Sequence, residues 1–211
     1  MNLSNAHWPY WKIADIVTEE NPNLSDYLLT HDIKADTVFL FYGWSWKIPE
    51  YLYNQHLCLI LHTSPLPKYR GGSPLQHQIM AGEKYSAITI CKVEEKIDTG
   101  AIYAQAPFSL DGTLSEIFYR ISELGTTVTN QLLEDIALGK AKPIKQDESK
   151  ATTYKRRKPE ESELTIEDLK TMTGTQIYNF IRSLADPYPN AFIRGRDRVK
   201  VYLTGAKHEN I

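Results

Sequence analysis

The chain has 211 residues, of which 42% are hydrophobic and 24% charged, as is ordinary for one folded domain with a modest appendage. A formal net charge of -2 argues against a broad nucleic-acid-binding surface but leaves room for a local basic patch. Residues 1–12 show no basic region followed by a long apolar run. No signal peptide, membrane-spanning segment or membrane partner is therefore expected, and the default location is the cytoplasm.

Strand-like and helical patterns alternate along the first two thirds of the sequence. Four β-prone, largely apolar runs predict strands at 37–42, 57–61, 86–93 and 101–108. Continuous apolar runs of this kind are typical of strands buried on both faces of a parallel sheet. Because helical patterns separate several of these runs, the sequence predicts an α/β domain with a mostly parallel, Rossmann-like sheet.

The predicted helices have recognisable ends. Short helical patterns occur at 23–29 and from Pro49 onward, and Ser73 is a candidate N-cap followed by Pro74 at the first helical position. Thr113 and Glu116 have the spacing of a capping box that begins a long amphipathic helix, which Gly139 ends. Its apolar stripe comprises Leu114, Ile117, Phe118, Ile121, Leu124, Val128, Leu132 and Ile136.

The composition changes after residue 140, where a polar, charged stretch begins. We therefore predict a core domain at 1–145 and a C-terminal α+β extension at 146–211. Within the extension, segments 152–154 and 164–166 could flank a turn, 175–184 is a short amphipathic helix, and 191–193 and 199–203 form a hairpin around 195–197.

The two cysteines, Cys58 and Cys91, both lie in apolar stretches, which favours buried free thiols over a disulfide framework. Cys58 is close in sequence to His56 and His62, but no paired set of further ligands follows. A zinc site is accordingly disfavoured, and we predict no metal.

An unusual loop follows the second predicted strand. The strand runs into His62, and the loop after it contains two prolines and two glycines before it opens onto a helix at Pro74. Ligands of α/β proteins bind beyond the carboxyl ends of parallel strands, and a histidine there is placed for acid–base chemistry. Taken alone, His62 could equally be a structural residue in a rigid, proline-rich turn.

Two motifs taken together favour a functional role for His62. The sequence His-Thr-Ser-Pro-Leu-Pro at 62–67, with Lys-Tyr-Arg-Gly-Gly-Ser-Pro at 68–74, closely resembles the active-site loop of the formyltransferase family. Val-Glu-Glu-Lys-Ile-Asp-Thr-Gly at 93–100 resembles the family's second block and places Asp98 at its catalytic aspartate. The resemblance implies transfer of a formyl group from 10-formyltetrahydrofolate to an amine, with His62 and Asp98 as catalytic residues. Taken alone, Asp98 could be a turn-capping residue.

One position departs from the family pattern. The family has a catalytic asparagine two residues before the histidine, where this chain has Ile60, which cannot donate a hydrogen bond to an oxyanion. Loss of one such donor costs about 10²–10³ in rate. Either another donor replaces it, for which the candidates are His62, Thr63, Ser64 and Gln76, or the chain is a weak or non-catalytic relative that binds folate or a nucleotide sugar.

The resemblance also implies a folate pocket and a substrate-binding loop. The predicted folate-binding residues are Tyr42, Trp44, Trp46, Ile48, Glu95, Ile97 and Asp98. Trp44 and Trp46 suit a flat heterocycle, although one or both could simply fill core. The predicted substrate-binding residues are Ser64, Tyr69, Arg70, Gly71, Gly72, Ser73 and Gln76.

Among the branches of this family, the nucleotide-sugar N-formyltransferases fit best. The chain is short and slightly acidic for a methionyl-tRNA formyltransferase and lacks the phosphate-binding loop of the purine-pathway enzyme. The family's usual first strand and helix are expected to be missing, which makes the N-terminal part of the fold short. The segment 153–162 resembles a dimer-forming hairpin of the sugar branch, which implies a homodimer. The basic run 155–158 is a solvated face or a diphosphate contact.

The sequence Gly-Gly-Ser-Pro-Leu-Gln at 71–76 resembles the corresponding loop of pseudaminic-acid-type enzymes. This resemblance implies a UDP- or dTDP-linked 4-amino-4,6-dideoxy sugar used in lipopolysaccharide or capsule biosynthesis.

Overall fold

The computed structural model describes residues 33–44 and 46–209. Its strands are β1 (Val38–Tyr42), β2 (Leu57–His62), β3 (Arg70–Gly71), β4 (Tyr85–Lys92), β5 (Ile102–Ser109), β6 (Thr153–Tyr154), β7 (Ala191–Arg194) and β8 (Lys200–Leu203). Its α-helices are α1 (Glu50–Gln55), α2 (Pro74–Met80), α3 (Leu114–Ala137), α4 (Ile166–Thr171) and α5 (Gly174–Ser183). The helix predicted at 23–29 lies outside the described residues.

The central sheet confirms the α/β class but is mixed within the described residues. Its strand order is β1-β2-β4-β5, and the four predicted strands are all present within a residue or two of their predicted bounds. β1 and β2 are parallel, as expected, whereas β2–β4 and β4–β5 are antiparallel. The expectation of a mostly parallel sheet therefore holds for the β1–β2 half. The loop 93–101 is too short for the crossover that a parallel β4–β5 pair would need.

The sheet buries an apolar cluster on each face, because side chains alternate along its strands. Leu57, Leu59 and Leu61 of β2 face the larger cluster, which also contains the apolar side of α3. Cys58 and Ile60 face the smaller cluster, together with Phe41, Ile48 and Leu52. His62 continues the alternation of Cys58 and Ile60 and lies on the face of the smaller cluster.

Helix α3 forms as predicted. The side chain of Thr113 accepts a hydrogen bond from the Glu116 amide, and the Glu116 carboxylate accepts one from the Thr113 amide, so the capping box is confirmed. Every residue of the predicted stripe is buried or partly buried against the larger cluster. Gly139 follows the helix with a φ of 66°, a conformation that glycine adopts without strain.

The C-terminal extension is partly as predicted. The short helix is α5, and the terminal hairpin is β7–β8. Segments 152–154 and 164–166 flank a 3-10 turn at Pro159–Ser162, but they do not pair with each other, because β6 pairs with β3 of the core. Helix α4 was not predicted. The extension also contacts the core through α5, which packs on α2. Within residues 33–44 and 46–209, no helix is long and apolar enough to span a bilayer.

Candidate active site

The structure brings His62 and Asp98 together. His62 is the last residue of β2, Asp98 lies in the loop between β4 and β5, and Nδ1 of the imidazole is 3.5 Å from Oδ2 of the carboxylate. Both side chains are largely buried, with 8% and 6% of their surfaces exposed. The other ring nitrogen, Nε2, donates to the carbonyl oxygen of Tyr69 at 2.8 Å. Because a carbonyl only accepts, Nε2 carries a proton and the ring presents Nδ1 to Asp98.

Asp98 also ties the two sequence motifs to each other. It has a left-handed backbone with φ of 57°, which is uncommon for a non-glycine residue. Its Oδ2 atom accepts a hydrogen bond from the Gly71 amide at 2.8 Å. The carboxylate thus contacts both His62 at the end of β2 and Gly71 in the loop after it.

Gly71 and Gly72 are required by the segment that crosses above them. Gly71 has a φ of +94°, and a Cβ built there would lie 2.2 Å from the carbonyl oxygen of Tyr154. A Cβ on Gly72 would lie 2.4 Å from Cα of Arg156. The two glycines therefore let β6 approach β3, which brings the basic run 155–158 over the loop.

The other predicted substrate-binding residues differ in how much of their polar surface is free. Ser64 is fully buried, and its hydroxyl donates to the carbonyl of Lys68, so it is committed to holding the loop. Ser73 does not cap α2 as predicted: it has a left-handed φ of 53°, and its hydroxyl accepts from the Arg157 amide instead. Gln76 is buried beside the Tyr188 hydroxyl, and its Oε1 atom has no hydrogen-bond partner among the described residues.

Tyr69 is part of the wall of the loop. Its ring stacks on Tyr154 with centroids 5.1 Å apart, and its hydroxyl donates to Glu83 at 2.9 Å. Burial, reinforced by the bond to Glu83 and its charge, raises the pKa of Tyr69 to about 12. Tyr69 therefore stays neutral and uses its carbonyl, rather than its hydroxyl, to hold His62.

Arg70 is not available to a ligand in this arrangement. Its guanidinium is buried and donates to Gln146 at 3.1 and 2.8 Å and to Glu148 at 2.9 and 2.7 Å. The bond to Glu148 raises the pKa of Arg70. Sequence reasoning missed Gln146 and Glu148, because both are single polar residues in a polar stretch and only their spatial partners mark them.

The predicted folate pocket lies on the smaller cluster. Trp44 packs in this cluster with Ile48, Ile60 and Val93, and its ring contacts Trp46 edge to face at 5.0 Å. Its indole Nε1 is buried without a partner among the described residues. Ile60 thus extends an apolar wall at the position where the family has its asparagine, and Trp46 is 45% exposed at the surface of this region.

Two further predicted folate residues are exposed and one points away. Ile97 and Glu95 are exposed on the loop 93–101, beside Asp98. The Tyr42 side chain lies on the opposite face of the sheet, where its hydroxyl bonds Oγ1 of Thr129 in α3 at 2.6 Å. Burial raises the pKa of Tyr42. The Tyr42 side chain therefore faces the core and not the folate pocket, so its assignment as a folate-binding residue stays a prediction for its backbone alone.

The cysteines are buried free thiols, as predicted. Among the described residues, no group of three or more histidine, cysteine, aspartate or glutamate side chains is arranged to hold a metal ion.

Known proteins resemble this chain in both sequence and fold. Methionyl-tRNA formyltransferase of Bacillus cytotoxicus is 35% identical over 137 residues, which cover 64% of this chain but only 42% of that relative. The structure of methionyl-tRNA formyltransferase from Clostridium thermocellum is 38% identical, has a TM-score of 0.66, and is matched over 75% of this chain and 67% of that one. The chain thus spans less than half the length of the curated relatives it matches.

Two more distant structures share the fold. A sugar N-formyltransferase from Shewanella sp FDAARGOS_354 has a TM-score of 0.71 at 20% identity, over 92% of this chain and 75% of that one. HypX from Aquifex aeolicus in complex with tetrahydrofolic acid has a TM-score of 0.64 at 22% identity, over 74% of this chain and 27% of that one. The family model described as "Formyl transferase" matches residues 24–132, which include both motifs of the site. The chain belongs to the formyl transferase family.

Proposed function

We propose that this protein transfers the formyl group of 10-formyltetrahydrofolate to the amine of a nucleotide-linked amino sugar. The observation that carries the proposal is the pairing of His62 Nδ1 with Asp98 Oδ2, 3.5 Å apart, next to an apolar cluster that holds Trp44. The His62–Asp98 pair supplies groups for proton transfer, and the apolar cluster around Trp44 suits the flat ring system of a folate.

The chemistry requires a neutral amine nitrogen to attack the formyl carbon. A tetrahedral oxyanion forms, the amine loses a proton, and the bond from carbon to the folate nitrogen breaks as that nitrogen takes up a proton. The His62–Asp98 separation exceeds hydrogen-bond length, so an amine or water placed against both atoms would carry the proton between them. A proton on Nδ1 would also be stabilised by the Asp98 carboxylate.

The oxyanion needs a donor that Ile60 does not provide. Of the candidate donors, Ser64 is committed to the Lys68 carbonyl. The Nε2 proton of His62 is committed to Tyr69, which leaves a protonated Nδ1 as the donor that the ring itself offers. We infer that His62 serves the oxyanion through Nδ1 when it is charged.

Support for a sugar nucleotide comes from the extent of the fold likeness and from charge. The likeness to the Shewanella sugar N-formyltransferase covers 92% of this chain and includes most of the C-terminal extension. Lys155, Arg156 and Lys158 are exposed in the segment that follows β6 over the glycine loop. Cations in that position suit a diphosphate. A UDP- or dTDP-linked 4-amino-4,6-dideoxy sugar of surface-glycan biosynthesis, of the pseudaminic-acid type, is the acceptor that we propose, with a homodimer in the cytoplasm as the working unit.

Methionyl-tRNA is the second candidate acceptor. The relatives with the highest sequence identity given above, at 35% and 38%, carry that name. The same basic segment that suits a diphosphate would suit a nucleic-acid backbone. The two acceptors differ in size and in how steeply their binding depends on salt.

The deciding experiment is an acceptor panel. The protein is incubated with 10-formyltetrahydrofolate and, separately, with UDP- and dTDP-linked amino sugars, methionyl-tRNA and glycinamide ribonucleotide, and each acceptor is examined by mass spectrometry for the addition of one formyl group. Formylation of an amino sugar alone supports the proposal, and formylation of methionyl-tRNA alone replaces it with the second candidate. If no acceptor is formylated while folate still binds, the protein is a non-catalytic binding relative.

A further inference from the structure

Gln146 is a buried side chain whose amide is fully used. It is 5% exposed, and its Nε2 atom donates to the carbonyl of Asp98 at 2.8 Å and to that of Gly100 at 2.7 Å. Its Oε1 atom accepts from Arg70 at 3.1 and 2.8 Å. Carbonyls only accept and a guanidinium only donates, so this amide can adopt one orientation. Gln146 thus joins the Asp98 turn to Arg70.

The turn that Gln146 holds is conformationally demanding. Asp98 has a left-handed backbone with φ of 57°. This conformation costs free energy and persists only where the surrounding structure enforces it. Gly100 lies so close to β4 that a Cβ there would be 1.9 Å from the Lys92 carbonyl. The two bonds from Gln146 fix the carbonyls on either side of Thr99. They therefore fix the direction in which the Asp98 carboxylate leaves the backbone.

The other end of Gln146 is anchored as firmly. Arg70 is 4% exposed, and it pairs through two bonds with Glu148, whose side chain is 66% exposed. The pair neutralises the buried guanidinium, which in turn holds Oε1 of Gln146. A continuous chain of hydrogen bonds therefore runs from Glu148 through Arg70 and Gln146 to the backbone of Asp98, whose carboxylate lies at His62.

We propose that Gln146 is a positioning residue, which holds Asp98 at the distance and angle from His62 that formyl transfer needs. This inference rests on the proposed function for its kinetic consequence, but the geometry that it predicts concerns the free protein. It also makes the first residue of the C-terminal extension part of the active-site framework. Arg70 and Glu148 then act on Asp98 through Gln146, not on the substrate.

Two substitutions separate the functions of the amide. Gln146→Glu keeps an acceptor for Arg70 but replaces the two donors with a carboxylate that repels the carbonyls of Asp98 and Gly100. Gln146→Met keeps the volume, adds no charge, and removes both donors and the acceptor. Gln131→Met is the matched control, because Gln131 is exposed on α3 and its side chain hydrogen-bonds the Asp135 carboxylate at 3.4 Å, away from Asp98. Using two variants keeps the test decisive if one of them fails to fold.

The first measurement uses the free protein and no substrate. The ring ¹⁵N chemical shifts of His62 are recorded in protein labelled at histidine and compared with those of Asp98→Asn. We expect the folded Gln146 variants to move the His62 Nδ1 signal in the direction of Asp98→Asn and Gln131→Met to leave it unchanged. The proposal is overturned if the His62 signal of a folded Gln146 variant stays at its wild-type position. It is also overturned if Asp98→Asn leaves the His62 signal unmoved.

The second measurement is kinetic and uses the acceptor that the panel identifies. We expect the Gln146 variants to lower kcat by about 10- to 100-fold, while KM for 10-formyltetrahydrofolate and for the acceptor stays unchanged, because the binding surfaces are intact. An unchanged kcat, or a loss that falls entirely in KM, contradicts the positioning role. If the panel finds no acceptor, the proposed function fails, and the His62 signal still decides whether Gln146 positions Asp98.

Discussion

The carboxylate of Asp98 accepts a hydrogen bond from the amide of Gly71 at 2.8 Å. This single bond joins motifs that are 27 residues apart in sequence and places the carboxylate beside His62. The bond depends on a backbone at Gly71 with φ of +94°, which few other residues tolerate. The proposed site therefore relies on backbone geometry as much as on the side chains of His62 and Asp98.

Gly71→Ala tests that dependence. The new Cβ would lie 2.2 Å from the Tyr154 carbonyl oxygen, so the loop or β6 must move. We expect the free energy of unfolding to fall by at least about 2 kcal/mol and the rate of formyl transfer to fall with it. Chemical denaturation and turnover measure the two effects. Gly174→Ala is the control, since a Cβ there meets nothing within 4 Å, and equal losses in both variants would contradict this explanation.

Replacing either of the two residues proposed to be catalytic separates chemistry from folding. His62→Ala and Asp98→Ala each remove one side of the proton-transfer pair, and we expect kcat to fall by about 10²–10⁴ while circular dichroism shows an intact fold. The rate is measured with the acceptor that the panel identifies. His208→Ala is the control, because His208 is exposed and stacks on Tyr178 in the extension. A near-normal rate in either catalytic variant would refute the mechanism.

The main elements were predictable because their signals are local. The capping box at Thr113, the apolar stripe of α3 and the β-prone runs each depend on residues that are close in sequence. The direction of β4 and β5 relative to β2 was not predictable, since apolar content does not encode strand orientation. The pairing of β6 with β3 was missed for a similar reason, because two-residue strands leave no periodic pattern.

The residues of the candidate site were predictable from the resemblance, but most of their contacts were not. The resemblance implied catalytic roles for His62 and Asp98; the structure brings the two side chains together, and their roles stay a prediction. It could not show that the Arg70 guanidinium is held by Gln146 and Glu148, because those contacts span 76 and 78 residues. The resemblance also did not show which face of the sheet the Tyr42 side chain occupies. Successive side chains of a strand point to opposite faces, so Tyr42 lies on the face opposite to Phe41 and contacts α3.

Ile60→Asn tests how the protein manages without the family's asparagine. Ile60 packs in the apolar cluster with Trp44 and Val93, so a buried amide there should lower the free energy of unfolding by about 1–3 kcal/mol. If His62 already serves the oxyanion, the substitution should leave kcat within about tenfold of the wild-type value. A gain of about 100-fold or more would show that the wild-type site lacks a donor. Ile60→Val, which keeps the apolar wall, is the control for stability.

Tyr69→Phe tests the buried hydroxyl through the pH dependence of stability. The pKa of Tyr69 is raised from 10.0 to about 12, so the native state holds the phenolic proton more tightly than the unfolded chain does. The resulting stabilisation is fully present below pH 10 and is lost as the pH rises through about 12. We therefore expect the stability advantage of the wild-type protein over Tyr69→Phe, measured by urea denaturation, to shrink across this range. Tyr85→Phe is the control for removal of an exposed tyrosine hydroxyl, because Tyr85 is 68% exposed. If the stability advantage over Tyr69→Phe instead stays constant as the pH rises, the fold does not hold the hydroxyl in its neutral form. Tyr69 then supports His62 through its carbonyl alone.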